Sequence, residues 1–294
     1  MRLDDERESS NIEDRRGQGG GLGGLGGGGL RIGGGKLGIG GTIVVVIIAM
    51  VLGINPLTLL GGGGEAPVQR EQIGQPQVPG APRTDMDRFV SRVLATTEDS
   101  WDARFRAEVG EPYQPPKLVL FTGNVSSACG AAESAMGPFY CPGDRKVYLD
   151  QSFFDELARR FGAPGDFAGA YVIAHEVGHH VQTLLGISDQ VRQQQARASK
   201  TQGNAIQVRM ELQADCLAGV WASAHTDLLD PGDVDEALAA ANAIGDDTLQ
   251  KAGQGFIVPE SFTHGTSEQR RRWFMAGMDG GTIASCDTFA AERL

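Results

Sequence analysis

Glycine is distributed very unevenly along this chain of 294 residues. About half of the 43 glycines fall between Gly17 and Gly64, and residues 17–36 read GQGGGLGGLGGGGLRIGGGK. A stretch of this composition buries too little apolar surface to offset the entropy that it would lose on ordering. We therefore predict a flexible tail over residues 1–37 and a folded domain over residues 84–294, which is long enough to bury a substantial core.

Residues 38–60, GIGGTIVVVIIAMVLGINPLTLL, contain no charged side chain. A helix of this length can cross a hydrocarbon core of about 30 Å, which predicts a transmembrane helix. The alternative is a cleaved signal peptide, whose apolar run is usually shorter and nearer the start. Residues 61–83 are rich in Gly, Pro and Gln and are predicted to be a linker.

The basic residues around this apolar segment predict its orientation. The flanking cations are Arg15, Arg16, Arg31 and Lys36 before the segment and Arg70 after it. Because basic residues are enriched on the cytoplasmic side, we expect a cytoplasmic N-terminus and an extracytoplasmic domain, held at the cell membrane by a single pass.

The pattern beyond residue 84 predicts an α+β domain that is mostly helical with a small sheet. Short strands are expected at 117–122 and 146–149. Helices are expected at 84–108 and at about 151–161, 167–185, 205–224, 234–252 and 267–278. The polar stretch 186–204 is expected to be a surface connection, with a mobile loop as the alternative.

Four cysteines lie in the predicted extracytoplasmic domain, where an even number favours disulfides. They allow three pairings, of which we expect Cys129–Cys141 and Cys216–Cys286. The alternative is four free thiols in a reducing compartment. No CxxC pair is present, so the spacing does not fit a zinc site with four cysteines.

The motif HExxH occurs once, at His175-Glu176-Val177-Gly178-His179, within an apolar helical stretch. Side chains at i and i+4 share a helix face, so both imidazoles can bind one metal ion, and Glu176 can reach a water bound to that metal. A helix that merely contains two histidines is the alternative. His180 points about 100° away from this face and is expected to be a core or supporting histidine rather than a ligand.

A second helical stretch, MELQADCLAGVWA at 210–222, carries Glu211 and Asp215 at i and i+4. A hydrolytic zinc site takes three protein ligands and leaves a position for water, so one carboxylate would complete the ligand set. The other could accept the second ring N–H of a ligand histidine. The spacing alone does not decide which acid has which role, and an exposed acidic pair is the alternative.

The stretch SFTHGTSEQRRRWF at 261–274 predicts a helix that starts with a capping box between Thr266 and Gln269. His264 precedes this cap and could donate a hydrogen bond to a developing oxyanion, or be an exposed loop histidine. The run of three arginines from Arg270 is predicted to be the solvated face of the helix.

HExxH followed by ExxxD resembles the gluzincin metallopeptidases. The strings HEVGHHVQ, ELQADCLAG and HGTSEQRRRWF resemble those of the bacterial putative neutral zinc metallopeptidase family, as do the charged start DERESSNIEDRRG, the Gly-rich stretch and the apolar segment. The resemblance implies a zincin-like fold and a zinc ion (Zn²⁺) bound by His175, His179 and Glu211. It also implies a general base at Glu176, a second-shell residue at Asp215 and a catalytic contribution from His264.

The sequence therefore predicts a membrane-anchored zinc peptidase that acts on a peptide or protein substrate. The strand at Lys146–Leu149 is expected to be an edge that such a peptide could extend. The alternative functions are a zinc-containing envelope binding module without peptidase activity and a scaffold. A net charge of −11 argues against nucleic acid as a partner. The sequence does not predict the oligomeric state.

Overall fold

The computed structural model describes residues 1–17 and 84–294. The predicted transmembrane helix at 38–60 and the predicted linker at 61–83 lie outside the described residues, as does the predicted tail beyond residue 17. Within the two described ranges, no helix combines the length and the apolar character that a bilayer span requires.

The described residues form a mostly helical α+β domain with a small sheet, as the sequence predicts. The helices are α1 (Asp85–Arg104), α2 (Ser152–Arg159), α3 (Asp166–Leu184), α4 (Ile187–Gln195), α5 (Lys200–Ser223), α6 (Asp233–Ala243), α7 (Asp246–Gln254) and α8 (Ser267–Gly280). The strands are β1 (Ile12–Asp14), β2 (Lys117–Leu120), β3 (Asn124–Ser127), β4 (Gly130–Glu133), β5 (Phe139–Cys141) and β6 (Lys146–Leu149).

The main sheet has the strand order β1-β2-β6-β5. Strands β1, β2 and β6 are parallel, and β5 is antiparallel to β6. The prediction that Lys146–Leu149 is an edge strand is wrong, because β5 covers its outer side and is itself the edge. At three residues, β5 is too short to show a strand period in the sequence. Strands β3 and β4 form a separate hairpin.

Residues 1–17, which we call the N-terminal segment, pack on the domain. The prediction of a flexible tail is therefore wrong for these residues. Strand β1 lies beside β2, with Glu13 opposite Val119. Arg16 forms an ion pair with Asp87 at the start of α1. The segment is dense in charge, and its charged side chains form ion pairs with charged groups of the domain.

Three other predictions need correction. The helix expected over 234–252 is two helices, because the chain turns between α6 and α7 at Ile244 and Gly245. A Cβ on Gly245 would lie 2.5 Å from the backbone nitrogen of Ser267, so this turn packs directly against the start of α8. The helix expected over 205–224 begins earlier, at Lys200, and the stretch 186–204, expected to be a surface connection, also contains α4.

The predicted disulfide pairing is confirmed, with bonds between Cys129 and Cys141 and between Cys216 and Cys286. The first bond attaches the turn of the β3–β4 hairpin to the edge strand β5. The second attaches the C-terminal residues to the middle of α5.

Glycines allow helix α5 to pack closely against two other helices. A Cβ on Gly178 of α3 would lie 3.0 Å from the carbonyl oxygen of Ala214. A Cβ on Gly277 of α8 would lie only 1.8 Å from the carbonyl oxygen of Cys216. A Cβ could not fit at Gly277, and at Gly178 it would be in tighter contact than most real Cβ atoms are, so glycine at both positions lets the three helices pack this closely. The same packing brings together side chains from α3, α5 and α8.

We predict that Arg16→Ala lowers the free energy of unfolding by roughly 3 kcal/mol, the usual cost of removing one partner from a buried ion pair. The carboxylates of Asp14 and Asp87 are 6% and 2% exposed and both bind Arg16. Urea unfolding of the full-length chain in mild detergent would measure the change. The control is Arg88→Ala, whose partner Asp85 is fully exposed and whose loss should change the stability by less than about 1 kcal/mol. Equal effects of the two substitutions would contradict the prediction.

Candidate metal centre

The two histidines of the HExxH motif lie on one face of α3, opposite the carboxylate of Glu211 on α5. The Nε2 atoms of His175 and His179 are each 3.3 Å from Oε2 of Glu211. One ligand atom from each of the three residues lies within 4.8 Å of the other two. Two imidazole nitrogens and a carboxylate oxygen in this arrangement are the donor set of a hydrolytic zinc site. The structure therefore brings the three predicted ligands together, and their donor set fits the metal.

The other ring nitrogens of these histidines are held by partners deeper in the domain. Nδ1 of His175 is 2.7 Å from Oδ1 of Asp215, and Nδ1 of His179 is 2.8 Å from Oε1 of Gln182. Such contacts fix the tautomer and direct Nε2 toward the metal position. Asp215 has the position that the sequence predicts. Gln182 was missed, although it lies in the last turn of the same helix and contacts Met210 and Gln213 of α5.

Asp215 is the centre of a buried polar cluster that joins three helices. Its carboxylate accepts hydrogen bonds from the Tyr171 hydroxyl at 2.6 Å and from the Arg270 guanidinium at 2.9 Å, in addition to the bond from His175. Arg270 is only 2% exposed. The prediction that it lies on a solvated face is therefore wrong: it is the first of three arginines, and α8 turns this one inward toward α5.

Neighbouring charges together affect the pKa values of His175 and Asp215 more than burial does. Burial lowers the pKa of His175, but the carboxylates of Asp215 and Glu211 raise it to about 10. Burial raises the pKa of Asp215, but Arg270 and His175 lower it to about 2. Asp215 is thus a carboxylate at neutral pH and can only accept hydrogen bonds, which makes His175 the donor at Nδ1.

The carboxylate of Glu176 lines a cavity beside the candidate ligands. Among the described residues, no hydrogen bond or ion pair reaches this carboxylate. Burial raises its pKa, while His175 and His179 partly oppose that effect. A carboxylate with a raised pKa and no protein partner is able to accept and release a proton.

His264 lies on the same cavity and is positioned by Asp246, the first residue of α7. Asp246 is fully buried and accepts hydrogen bonds from three consecutive backbone N–H groups, those of Thr263, His264 and Gly265. Its other oxygen lies 3.3 Å from Nδ1 of His264. Burial lowers the pKa of His264, but Asp246 and Glu211 raise it. The arrangement leaves Nε2 as the ring nitrogen that can reach a ligand.

The cavity has a volume of about 460 Å³, within the range of small-molecule and peptide sites. The three candidate ligands line it together with Glu176 and His264. The rest of its wall is mainly apolar. Its largest apolar side chains are Met136, Phe139, Phe153, Phe161, Ile244 and Leu249. His180 is not part of it. That ring is 1% exposed and bonds through Nε2 to the carbonyl of Gln114, so the prediction of a core histidine is confirmed.

We predict that Asp215→Asn raises the dissociation constant for zinc by about 10- to 100-fold, because the amide cannot accept from all the donors around it. Competition with a chromophoric chelator would measure the constant. Asp235→Asn, which changes an exposed residue of α6, is the matched control. Thermal unfolding separates a weakened site from an unfolded domain, and an unchanged dissociation constant would contradict the prediction.

Comparisons with known proteins cover nearly the whole chain. Residues 1–289 match the family model described as "Putative neutral zinc metallopeptidase". The "Uncharacterized protein YpfJ" of Escherichia coli strain K12 is 49% identical over 293 residues, which cover 98% of this chain and 99% of that protein. The "Uncharacterized protein Rv2575" of Mycobacterium tuberculosis H37Rv is 44% identical over 223 residues, covering 71% and 74% of the two chains. No solved structure matches the chain significantly.

The family match includes both the described domain and the N-terminal segment. It also includes the three residues whose donor atoms meet between α3 and α5. The expected resemblance is confirmed by this match, and the chain belongs to the putative neutral zinc metallopeptidase family.

Proposed function

We propose that the protein is a zinc-dependent peptidase whose ligands are His175, His179 and Glu211. The observation that supports this most directly is the meeting of three donor atoms from two helices beside the carboxylate of Glu176, which faces the cavity and has no partner among the described residues. A binding module would have no use for a free carboxylate at this place. A scaffold would have no use for three ligand groups that face one another at a cavity.

The chain's own groups have distinct tasks in peptide hydrolysis. Zinc, when bound, supplies Lewis-acid activation of water and of the scissile carbonyl. The Glu176 carboxylate accepts a proton from the attacking water and passes it to the nitrogen of the leaving amine. The Nε2–H group of His264 donates a hydrogen bond to the oxygen of the scissile carbonyl as negative charge develops there. Asp246 holds His264 in place for this contact.

The substrate in this proposal is an extended peptide that pairs with the edge strand β5. Main-chain hydrogen bonds to a free strand edge can hold a peptide regardless of its sequence. Phe139 and Tyr140 of this strand line the cavity together with residues of the β3–β4 hairpin. Because most of the cavity wall is apolar, a large apolar side chain next to the scissile bond would fit it best.

Attachment to the membrane through residues 38–60 is also part of the proposal. The two disulfides support a location outside the cytoplasm, because such bonds persist mainly in oxidising compartments. The substrates would then be peptides or proteins of the cell envelope.

We predict one zinc ion per chain in the full-length protein, and its loss in His175→Ala and in Glu211→Ala. Glu176→Gln should retain the zinc ion but lower peptide hydrolysis by at least about 100-fold, since it removes the general base. Elemental analysis and digestion of a peptide mixture, read by mass spectrometry, would measure the two properties. Glu260→Gln is the control, because this glutamate is exposed on the surface.

Two results would favour the other functions. Equal turnover by wild type and Glu176→Gln would point to a zinc-containing binding module and a contaminating peptidase. A folded wild-type protein that takes up no added zinc would point to a scaffold.

We predict that His264→Ala lowers kcat by about 100- to 1000-fold, the usual effect of removing one oxyanion donor. The zinc content should not change, because His264 is outside the ligand set.

Asp246→Asn should also lower kcat. It should move the alkaline limb of the pH profile to lower pH, because Asp246 raises the pKa of His264. Steady-state kinetics against pH would measure both effects. Loss of zinc in His264→Ala would contradict the assigned role.

A further inference from the structure

The N-terminal segment occupies a surface of the domain that is built to receive charged and polar partners. Glu98 of α1 is 7% exposed. Its carboxylate accepts hydrogen bonds from Ser9 Oγ at 2.6 Å, Asn11 Nδ2 at 2.8 Å and an Arg7 guanidinium nitrogen at 2.8 Å. All these donors belong to the N-terminal segment. Without the segment, the Glu98 carboxylate would lose all three of these donors.

The same segment also completes the main sheet. Strand β1 pairs with β2 over residues 12–14, and the backbone N–H of Leu118 donates to the carbonyl of Asn11 at 2.8 Å. The side chain of Glu13 reaches across β2 to Lys146 of β6, with 2.7 Å between Oε2 and Nζ. Backbone pairing and ion pairs therefore specify the same position for the segment.

The residues on either side of the stretch 18–83 lie close together on the domain. Arg16 contacts the Asp87 carboxylate at 2.7 and 3.0 Å. The backbone N–H of Thr84 donates to the same carboxylate at 3.2 Å. The chain thus leaves the described structure after residue 17 and returns at residue 84 close to one carboxylate. Both ends of the intervening stretch lie on the same surface of the domain.

We propose that the N-terminal segment and the domain lie on the same side of the membrane, so that the apolar stretch 38–60 attaches the protein to the lipid bilayer without separating them. A chain that crossed the bilayer once between residues 17 and 84 would hold the two parts on opposite sides, where none of these contacts could form. The arrangement replaces the cytoplasmic N-terminus expected from the basic flanks. Two of those flanking cations, Arg15 and Arg16, are in ion pairs with Glu13, Asp14 and Asp87. This proposal does not depend on zinc or on peptidase activity.

Labelling of single added cysteines tests the proposal in cells. Ser10→Cys places a thiol on the N-terminal segment and Thr201→Cys places one on α5, both at exposed positions. The wild type is a control without signal, because all four native cysteines are in disulfides. A maleimide that cannot cross the cytoplasmic membrane is applied to spheroplasts that produce the full-length protein, before and after permeabilisation.

We expect both thiols to show the same pattern, and labelling of both before permeabilisation would place them outside the cytoplasm. Labelling of one thiol in intact spheroplasts and of the other only after permeabilisation would overturn the proposal. A second measurement uses isolated membranes and a carbodiimide, which joins a carboxylate to an amine in direct contact. A peptide cross-linked between Glu13 and Lys146 is expected, lost in Glu13→Gln and kept in the control Glu8→Gln. Its absence from the wild type would overturn the docked arrangement in the membrane.

Discussion

The carboxylate of Asp215 is the group on which the metal centre and the helix packing both depend. A buried carboxylate is tolerated only when donors surround it, and here they come from different helices: Tyr171 and His175 from α3 and Arg270 from α8. The packing of each of these helices therefore depends on the presence of the others. Because the buried carboxylate needs all these donors, it favours one arrangement of α3, α5 and α8. That arrangement sets the direction of the His175 ring.

The metal centre could be predicted from the sequence because its residues are separated by helical periods. His175 and His179 are one turn apart, as are Glu211 and Asp215, so the position on each helix follows from spacing alone. Arg270, Gln182 and Asp246 could not be found in this way. Their roles depend on how the helices pack, and an arginine in a run of three or an aspartate at a helix start has an ordinary surface explanation.

The sheet and the N-terminal segment were predicted less well, for a related physical reason. Strands β1 and β5 have three residues each, and no alternation of polar and apolar residues can be recognised over such a length. The N-terminal segment is also rich in charge, which usually indicates a solvated chain. It is ordered because its charges have buried partners elsewhere in the sequence, at Asp87 and Glu98, and a local pattern cannot reveal a partner that is many residues away.

The same contacts relate the N-terminal segment to the metal centre. Strand β1 lies at one edge of the sheet and β5, which lines the cavity, lies at the other, with β2 and β6 between them. Lys146 of β6 binds Glu13 on one side, and Cys141 of β5, opposite it in register, is joined to Cys129 of the β3–β4 hairpin. Ordering of β1 therefore supports the strand that positions the cavity wall. A domain expressed from residue 84 onward would lack β1 and leave Glu98 without its partners, so the intact chain is the form in which the zinc site and its activity are best measured.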